Sequence, residues 1–174
     1  MRVMIALDGT PVGERAARAV ATWANETGAE IHLLSVLHSG DAKETVANPG
    51  FVHSATPAGT MSGQSLNVRE PLPHQAESRS QALTRAHEER MDYLRGVVAK
   101  WFPALAVKIH VADADAATAI VEHAERLGVD FIAMGTRGRH GVGQALFGSL
   151  HEEVVKRAHM PVLLVGPEAA LATG

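Results

Sequence analysis

The stretch RVMIALDGTP, residues 2–11, sets a pattern that most of the chain repeats. Arg2 to Leu7 is a short apolar run that favours a strand, and residues 8–11 supply a turn and then a helix cap, with proline at the first helical position. A helix is predicted from about Val12 to Thr27, because apolar residues recur there at spacings of three and four. Ile31 to Leu37 is predicted as a second strand. The first 37 residues therefore predict one strand–helix–strand unit.

The same alternation continues after one interruption. Between His38 and about residue 77 the apolar periodicity is absent and proline and glycine recur, which predicts a long inserted loop. The elements predicted beyond it are a helix from about Ser78 to Trp101, a strand from Leu105 to Val111, a helix from Ala116 to Leu127, a strand from Asp130 to Met134, a helix around Leu150 to Ala158 and a strand from Pro161 to Val165. Five strands alternating with helices favour an open parallel sheet covered on both faces, since parallel neighbours need crossover connections. We expect one α/β domain over residues 1–168 and a tail at 169–174.

Composition excludes several classes of protein. The 174 residues contain no cysteine, which excludes disulfide scaffolds, thiol nucleophiles and cysteine-based metal sites. Hydrophobic residues make up 46% but aromatic residues only 4%, so the core is aliphatic, as is typical of parallel sheets between helices. A net charge of −3 argues against a protein that coats nucleic acid or acidic membranes. With no apolar run near the roughly 18 residues of a membrane span and no signal-like start, we expect a cytoplasmic protein without nucleic-acid or membrane partners.

The loop after the fourth predicted strand, GTRGRHGVGQALFGS at residues 135–149, has the composition of an anion site. Ligands of open parallel sheets bind beyond the carboxyl ends of the strands. Five glycines let backbone N–H groups approach a ligand closely, and the helix that follows adds its own unpaired N–H groups. From Phe131 to His151 there is no acidic residue, although the chain is acidic overall. The stretch therefore predicts phosphate binding, by a scheme that matches neither the P-loop nor the dinucleotide fingerprint.

Gly135, Gly138 and Gly148-Ser149 follow the spacing Gly-x2-Gly-x9-Gly-Ser. Together with the blocks IALDGT at 5–10, VDFIAMGTRG at 129–138 and MPVLLV at 160–165, this spacing resembles the ATP-binding branch of the universal stress protein family. The resemblance covers nearly the whole chain except about residues 38–73. It implies a Rossmann-like sheet, similar to that of adenine nucleotide α-hydrolases, with five parallel strands in the order 3-2-1-4-5.

The resemblance also implies a set of binding residues for ATP. Asp8 would lie near the ribose, and the backbone of Val36 would bond adenine. The residues implied around the ribose and phosphates are Gly135, Gly138, Gly148 and Ser149, with Leu150 standing where the family commonly has valine. Of the two arginines in the loop, Arg137 is favoured over Arg139 for phosphate contact. Mg²⁺ could bind through the phosphates and water, so no protein metal ligand and no catalytic residue is assigned.

Simpler roles exist for several of these residues. Ser149 and Glu152 have the spacing of a capping box, which starts helices without any ligand. The Asp8 side chain can serve only to bracket the turn after the first strand, and Arg137 can be a solvated loop charge. Trp23 and Trp101 lie on apolar helix faces and are predicted to pack in the core. The ten histidines show no spacing of a helical metal site, and no Gly-x-Ser-x-Gly nucleophile motif is present.

The function expected from this resemblance is regulatory nucleotide binding in a stress response, with slow ATP hydrolysis at most, because Asp8 is the only acid expected at the site. One alternative is a nucleotide-independent interaction or dimerisation protein of the same fold, which the intact glycine pattern disfavours. A second is a nucleotide α-hydrolase-type enzyme, which would need more glycine or serine after the first strand; a flavin carrier would need more aromatic residues. The resemblance further implies a homodimer through antiparallel pairing of Pro161–Val165, unless the tail from Pro167 to Gly174 covers that strand.

Overall fold

The computed structural model of the protein describes residues 1–37, 79–137 and 149–167. The elements in these ranges are β1 (Arg2–Leu7), α1 (Glu14–Thr27), β2 (Glu30–Leu37), α2 (Arg79–Trp101), β3 (Val107–Asp113), α3 (Ala116–Leu127), β4 (Phe131–Gly135), α4 (Ser149–Arg157) and β5 (Val162–Val165). The inserted loop predicted at 38–77, the glycines from Gly138 to Gly148 and the tail at 169–174 lie outside the described residues. None of the described helices is both long and apolar enough to cross a bilayer.

The five strands form one parallel sheet in the order β3-β2-β1-β4-β5, which confirms the predicted fold class and strand order. β1 lies at the centre, so Met4 has His32 of β2 on one side and Ile132 of β4 on the other. Because every strand runs in the same direction, all five carboxyl ends meet at one edge of the sheet. The turns and helix starts that follow these strands are thereby brought together.

Successive residues of the strands face two separate cores, as the two-residue period of a strand requires. Val3, Ile5 and Leu7 of β1 pack under α1 and α2, whereas Met4 packs under α3 and α4. Trp23 and Trp101 border the first core, and the Trp23 ring lies 6.0 Å from that of Phe131, which confirms their predicted packing role. Both sheet faces are therefore covered, and ligand access is left to the ends of the strands.

α1 and β3 each begin two residues later than predicted, for local reasons. α1 begins at Glu14 because a turn precedes it, in which the Gly13 amide donates to the Thr10 hydroxyl over 3.2 Å. Thr10 therefore caps this turn, whereas the predicted helix cap before Pro11 is wrong: the N-cap of α1 is Gly13, which makes no side-chain cap bond. β3 begins at Val107 because the Leu105 amide bonds the Phe102 carbonyl over 3.2 Å, which holds that part of the chain in a turn.

Candidate functional site

A cavity lies at the carboxyl ends of β1, β2 and β4, beneath the first turns of α3 and α4. Its apolar lining consists of Ala6, Leu7, Leu34, Val36, Ala116, Ile120, Met134 and Leu150. Asp8 and His151 are its ionisable side chains among the described residues. The cavity encloses about 70 Å³, whereas small-molecule sites commonly measure about 300–1,000 Å³. Only one end of a larger ligand therefore fits inside it, and the remainder must lie beyond its mouth.

Asp8 closes the turn that follows β1. Its Oδ1 accepts hydrogen bonds from the Thr10 amide over 2.9 Å and from the Thr10 hydroxyl over 2.7 Å. The structural role considered from the sequence is thus confirmed. Within the described part of the chain its Oδ2 accepts no hydrogen bond, so the side chain can close the turn and still offer a carboxylate oxygen to a ligand.

Gly135 and Gly13 let this turn lie directly against the end of β4. A Cβ at Gly135 would fall on the carbonyl oxygen of Val12 and 2.9 Å from the Gly13 Cα, positions that no side chain can share with backbone. A Cβ at Gly13 would come 2.5 Å from Asp8 Oδ1. The sequence singled out Gly135 but missed Gly13, whose only signal was a second glycine in the turn after β1. Gly135 is therefore required by close packing against backbone, and Gly13 leaves room for the Asp8 carboxylate.

Val36 lies in the part of β2 that extends beyond the end of β1. β1 pairs with β2 only as far as Leu7 with Ser35, while β2 goes on pairing with β3 as far as Leu37 with Asp113. The buried Ser35 hydroxyl donates to the Leu7 carbonyl over 2.6 Å and fixes this end of the β1–β2 ladder. Beyond that point β2 has no strand of the described sheet on its β1 side. Its backbone there borders the cavity, where the edge of a planar ligand could take the place of a strand.

His151 connects α4 to β4, and the sequence did not predict this contact. Its Nε2 lies 2.9 Å from the Gly135 carbonyl oxygen, which can only accept, so Nε2 carries the proton of this bond. The Nδ1 atom is buried and has no partner in the described part of the structure. The ring therefore ties the first turn of α4 to the last residue of β4, on either side of residues 138–148.

Two arginines lie at the start of the glycine-rich stretch. Arg15 of α1 donates from Nη1 to the Thr136 carbonyl over 3.4 Å, and Thr136 is itself buried, with its amide bonded to Val165 over 2.8 Å. Arg137 follows and is exposed. The sequence favoured Arg137 and missed Arg15, which is distant in the chain. Positive charge at this end of the cavity would favour an anion.

The structure describes some of the predicted site residues and not others. Asp8, Val36, Gly135 and Leu150 line the one cavity, and Arg137 follows Thr136 near it. Gly138 and Gly148 lie outside the described residues, and of Ser149 only the backbone at the start of α4 is described. In residues 1–37, 79–137 and 149–167, no group of three or more histidine, aspartate or glutamate side chains is arranged to hold a metal ion.

Solved structures share this fold. The structure of MJ0577, described as a hypothetical protein, has a TM-score of 0.67 at 22% identity, covering 95% of this chain and 94% of that one. A universal stress protein in complex with cAMP has a TM-score of 0.53 at 15% identity, covering 95% and 96%. The Arabidopsis thaliana protein At3g01520, solved with AMP bound, has a TM-score of 0.54 at 17% identity, covering 97% and 93%. At these identities the likeness establishes the fold alone.

The sequence comparisons go further. Universal stress protein MJ0531 of Methanocaldococcus jannaschii is 29% identical over 166 residues, covering 94% of this chain and 81% of the relative. Stress response protein NhaX of Bacillus subtilis is 29% identical over 171 residues, covering 94% and 96%. The model of the universal stress protein family matches residues 1–166, nearly the full length of the sequence. The chain belongs to the universal stress protein family.

Proposed function

We propose that the protein binds ATP or a related adenine nucleotide and acts as a regulatory, nucleotide-dependent member of its family. The observation that carries the proposal is the cavity itself. Asp8, Val36, Gly135 and Leu150 come from four separate segments and line it together at the carboxyl edge of the sheet. This edge is where parallel sheets of this kind bind ligands. Relatives of the same fold that hold AMP and cAMP support an adenine nucleotide over other anions.

Each part of a nucleotide has a suitable environment. The apolar cavity would take an edge of the adenine ring, with the β2 backbone beyond Ser35 supplying hydrogen bonds. Asp8 would accept hydrogen bonds from ribose hydroxyls through its Oδ2. The phosphates would lie outside the cavity, toward Arg137 and the glycines of residues 135–148, where the start of α4 adds unpaired N–H groups. Mg²⁺ would be held by the phosphates and water, since it needs few protein ligands.

A binding role is favoured over fast catalysis. Asp8 is the only acid among the described residues that line the cavity, and one of its oxygens is already occupied by the Thr10 turn. Efficient phosphoryl transfer needs a group that orients the nucleophile in addition to charge stabilisation. We therefore propose slow hydrolysis at most, with the bound nucleotide altering the surface that other molecules meet.

Calorimetry with ATP, ADP, AMP and cAMP, with and without Mg²⁺, tests the proposal. Asp8→Asn keeps an oxygen for the Thr10 turn but removes the charge, and we expect it to weaken binding by roughly tenfold or more. Asp130→Asn is the matched control, because Asp130 bonds the Arg2 amide over 2.6 Å at the opposite end of β1. The control variant should bind as the unmodified protein does.

Two results would contradict the proposal or its geometry. Absence of binding for all four nucleotides at concentrations up to about millimolar would leave the nucleotide-independent interaction protein as the better description. Gly138→Asp would place a carboxylate in the proposed phosphate site and should abolish ATP binding. If that variant binds ATP normally, the phosphates lie elsewhere.

We also propose that the protein forms a homodimer through β5. β5 is an edge strand of the described sheet, and Leu163 on it is 44% exposed although it is a large apolar residue. An exposed apolar edge strand is a site at which another chain can pair. A second copy of the same strand in antiparallel orientation would cover it with a symmetric interface.

A further inference from the structure

Three histidines from three elements meet at the β2–β3 side of the sheet. His32 of β2 is 2% exposed, and its Nδ1 lies 3.1 Å from Nε2 of His110 on β3. These two rings are stacked, with centroids 5.3 Å apart and planes 11° apart. The ring of His123 on α3 meets His110 edge-on at 6.1 Å. This histidine cluster (His32, His110 and His123) lies on the α3 side of the sheet but is not part of the cavity lining described above.

The neutral cluster has one consistent arrangement of protons. Oε1 of Glu30 lies 3.2 Å from His32 Nε2 and accepts a hydrogen bond from it, so Nδ1 of neutral His32 is an acceptor. Nε2 of His110 must then be the donor of the 3.1 Å bond between the two rings. His123 donates from Nδ1 to the Ala119 carbonyl over 2.9 Å. Each ring therefore has its tautomer fixed by a partner.

The charges that face the cluster have opposing effects on its protonation: Glu30 favours a charged His32, whereas Lys108 and Arg2 oppose it. Glu30 is shared with Arg2, over 3.3 Å to Oε2, and with Lys108, whose ammonium bonds Oε1 and is the main cause that lowers the pKa of Glu30 to about 2. On α3, Arg126 and Glu122 flank His123 with opposite charges. Burial is the first cause that lowers the pKa of His32, and it acts in the same way on His110 and His123.

We propose that the histidine cluster is a pH-dependent switch that holds α3 against the β2–β3 side of the sheet at neutral pH and releases it in acid. A first proton can enter at His110 Nδ1 while the Nε2 bond to His32 survives. A second proton, on His32 Nδ1, would set two N–H groups against each other at 3.1 Å, so the stacked rings must separate. Protonated His123 would add a third positive charge beside His110.

The direction of the pH dependence follows from the lowered pKa values. The unfolded chain takes up protons on these histidines near their ordinary pKa of about 6.5, while the folded chain takes them up only at lower pH. The stability that the cluster contributes is therefore complete above about pH 6.5 and is lost as the pH falls below it. In that pH range, unfolding adds at most three protons to the histidine cluster.

Hydrogen exchange at about pH 7.5 and 5.5, corrected for the intrinsic effect of pH on exchange, tests local release. We expect the amides of α3 and β3 to lose protection in acid by a larger factor than those of α1. α1 is an internal reference, because it packs on the opposite face of the sheet. Equal loss of protection in α1 and α3 would overturn the proposal, since it would mean that the whole fold weakens uniformly.

Histidine variants test whether the cluster, and not the other histidines, causes the pH dependence of stability. His110→Gln keeps an N–H near the position of Nε2 but cannot be protonated, so it should reduce the fall of the urea midpoint between about pH 7.5 and 5.5. His87→Gln is the matched control, because His87 is exposed on α2, and it should retain the full fall. His123→Gln offers a second test that leaves the His32–His110 bond intact, should His110→Gln fold poorly. A midpoint that falls as steeply in both cluster variants as in the control would overturn the proposal.

Discussion

Gly135 is the residue on which the candidate site depends most directly. The carbonyl oxygen of Val12 occupies the place where its side chain would be, and the same residue accepts the hydrogen bond from His151 over 2.9 Å. Through these contacts the end of β4 touches both the turn after β1 and the first turn of α4. A change at this position would therefore move two walls of the cavity together.

We expect Gly135→Ala to lower the free energy of unfolding by about 1–3 kcal/mol, because the added methyl group must displace backbone. Nucleotide binding should weaken with it. Gly96→Ala is the matched control: an added Cβ there meets no atom within 4 Å, and Gly96 lies inside α2. That variant should be stabilised by up to about 1 kcal/mol, since alanine favours a helix more than glycine does. Urea denaturation measures both, and equal stabilities would contradict the close packing at Gly135.

Single residues were predictable where spacing or position marks them. Asp8 and Gly135 follow apolar runs at strand ends, so a sheet that opens at that edge brings them together. His151 and Arg15 were not predictable as parts of the site, because each bonds a backbone carbonyl of β4 or the residue after it. Every residue has a carbonyl, so such a contact leaves no trace in the pattern of residue types.

At the scale of elements, α3 joins the two sites. Ala116 and Ile120 in its first half line the cavity, and His123 in its second half belongs to the histidine cluster. The helix begins at a cap in which Asp115 Oδ2 accepts from the Thr118 amide over 3.0 Å and from the Thr118 hydroxyl over 2.8 Å. That hydroxyl also accepts from Arg157 of α4 over 3.1 Å, so the cap links two helices.

Asp115→Ala should destabilise the protein by about 1 kcal/mol, the usual effect of losing a helix cap. Asp115→Asn keeps an acceptor oxygen at the same place and should cost much less, because asparagine caps helices about as well as aspartate. Thermal or urea unfolding of the two variants at neutral pH measures the difference. Equal destabilisation would show that the charge of Asp115 matters more than its cap.

Helices were predictable to the extent that their ends carry local signals. α3 is observed over the predicted residues, since a capping aspartate precedes it and Gly128 with φ of +59° ends it. α1 and β3 begin later than predicted, because the turns before them are held by the Gly13 and Leu105 amides. Those turns depend on hydrogen bonds donated by backbone amides, which the spacing of apolar residues does not reveal.

At the scale of the whole molecule, the proposed dimer can be tested by a substitution in β5. Leu163→Glu should convert the dimer to a monomer, because it places a charge in the middle of the proposed strand pairing. Ala99→Glu, at an exposed position on α2, is the control and should remain dimeric. Light scattering measures the mass. A mass near that of one 18.4 kDa chain for the unmodified protein would contradict the dimer.

The parallel sheet was predictable from the pattern of strands and helices, whereas the strand order was predictable only from the family resemblance. Regular alternation of strands and helices is enough to predict a parallel sheet with both faces covered. It does not fix which strands are neighbours, because each crossover could lead to either side. The order 3-2-1-4-5 came from the family resemblance, and the pairing of Val3 with both Ile31 and Phe131 confirms it.

That double pairing has a consequence for how the chain reaches its folded state. β1 precedes the other strands in the chain, yet one of its two partners, β4, follows only after more than a hundred further residues. Pairing across such a separation requires closure of a large loop, which slows folding. During synthesis on the ribosome, one side of the central strand therefore remains unpaired, and can pair with a wrong partner, until β4 emerges. We expect completion of the β1–β4 ladder to be the late step of folding.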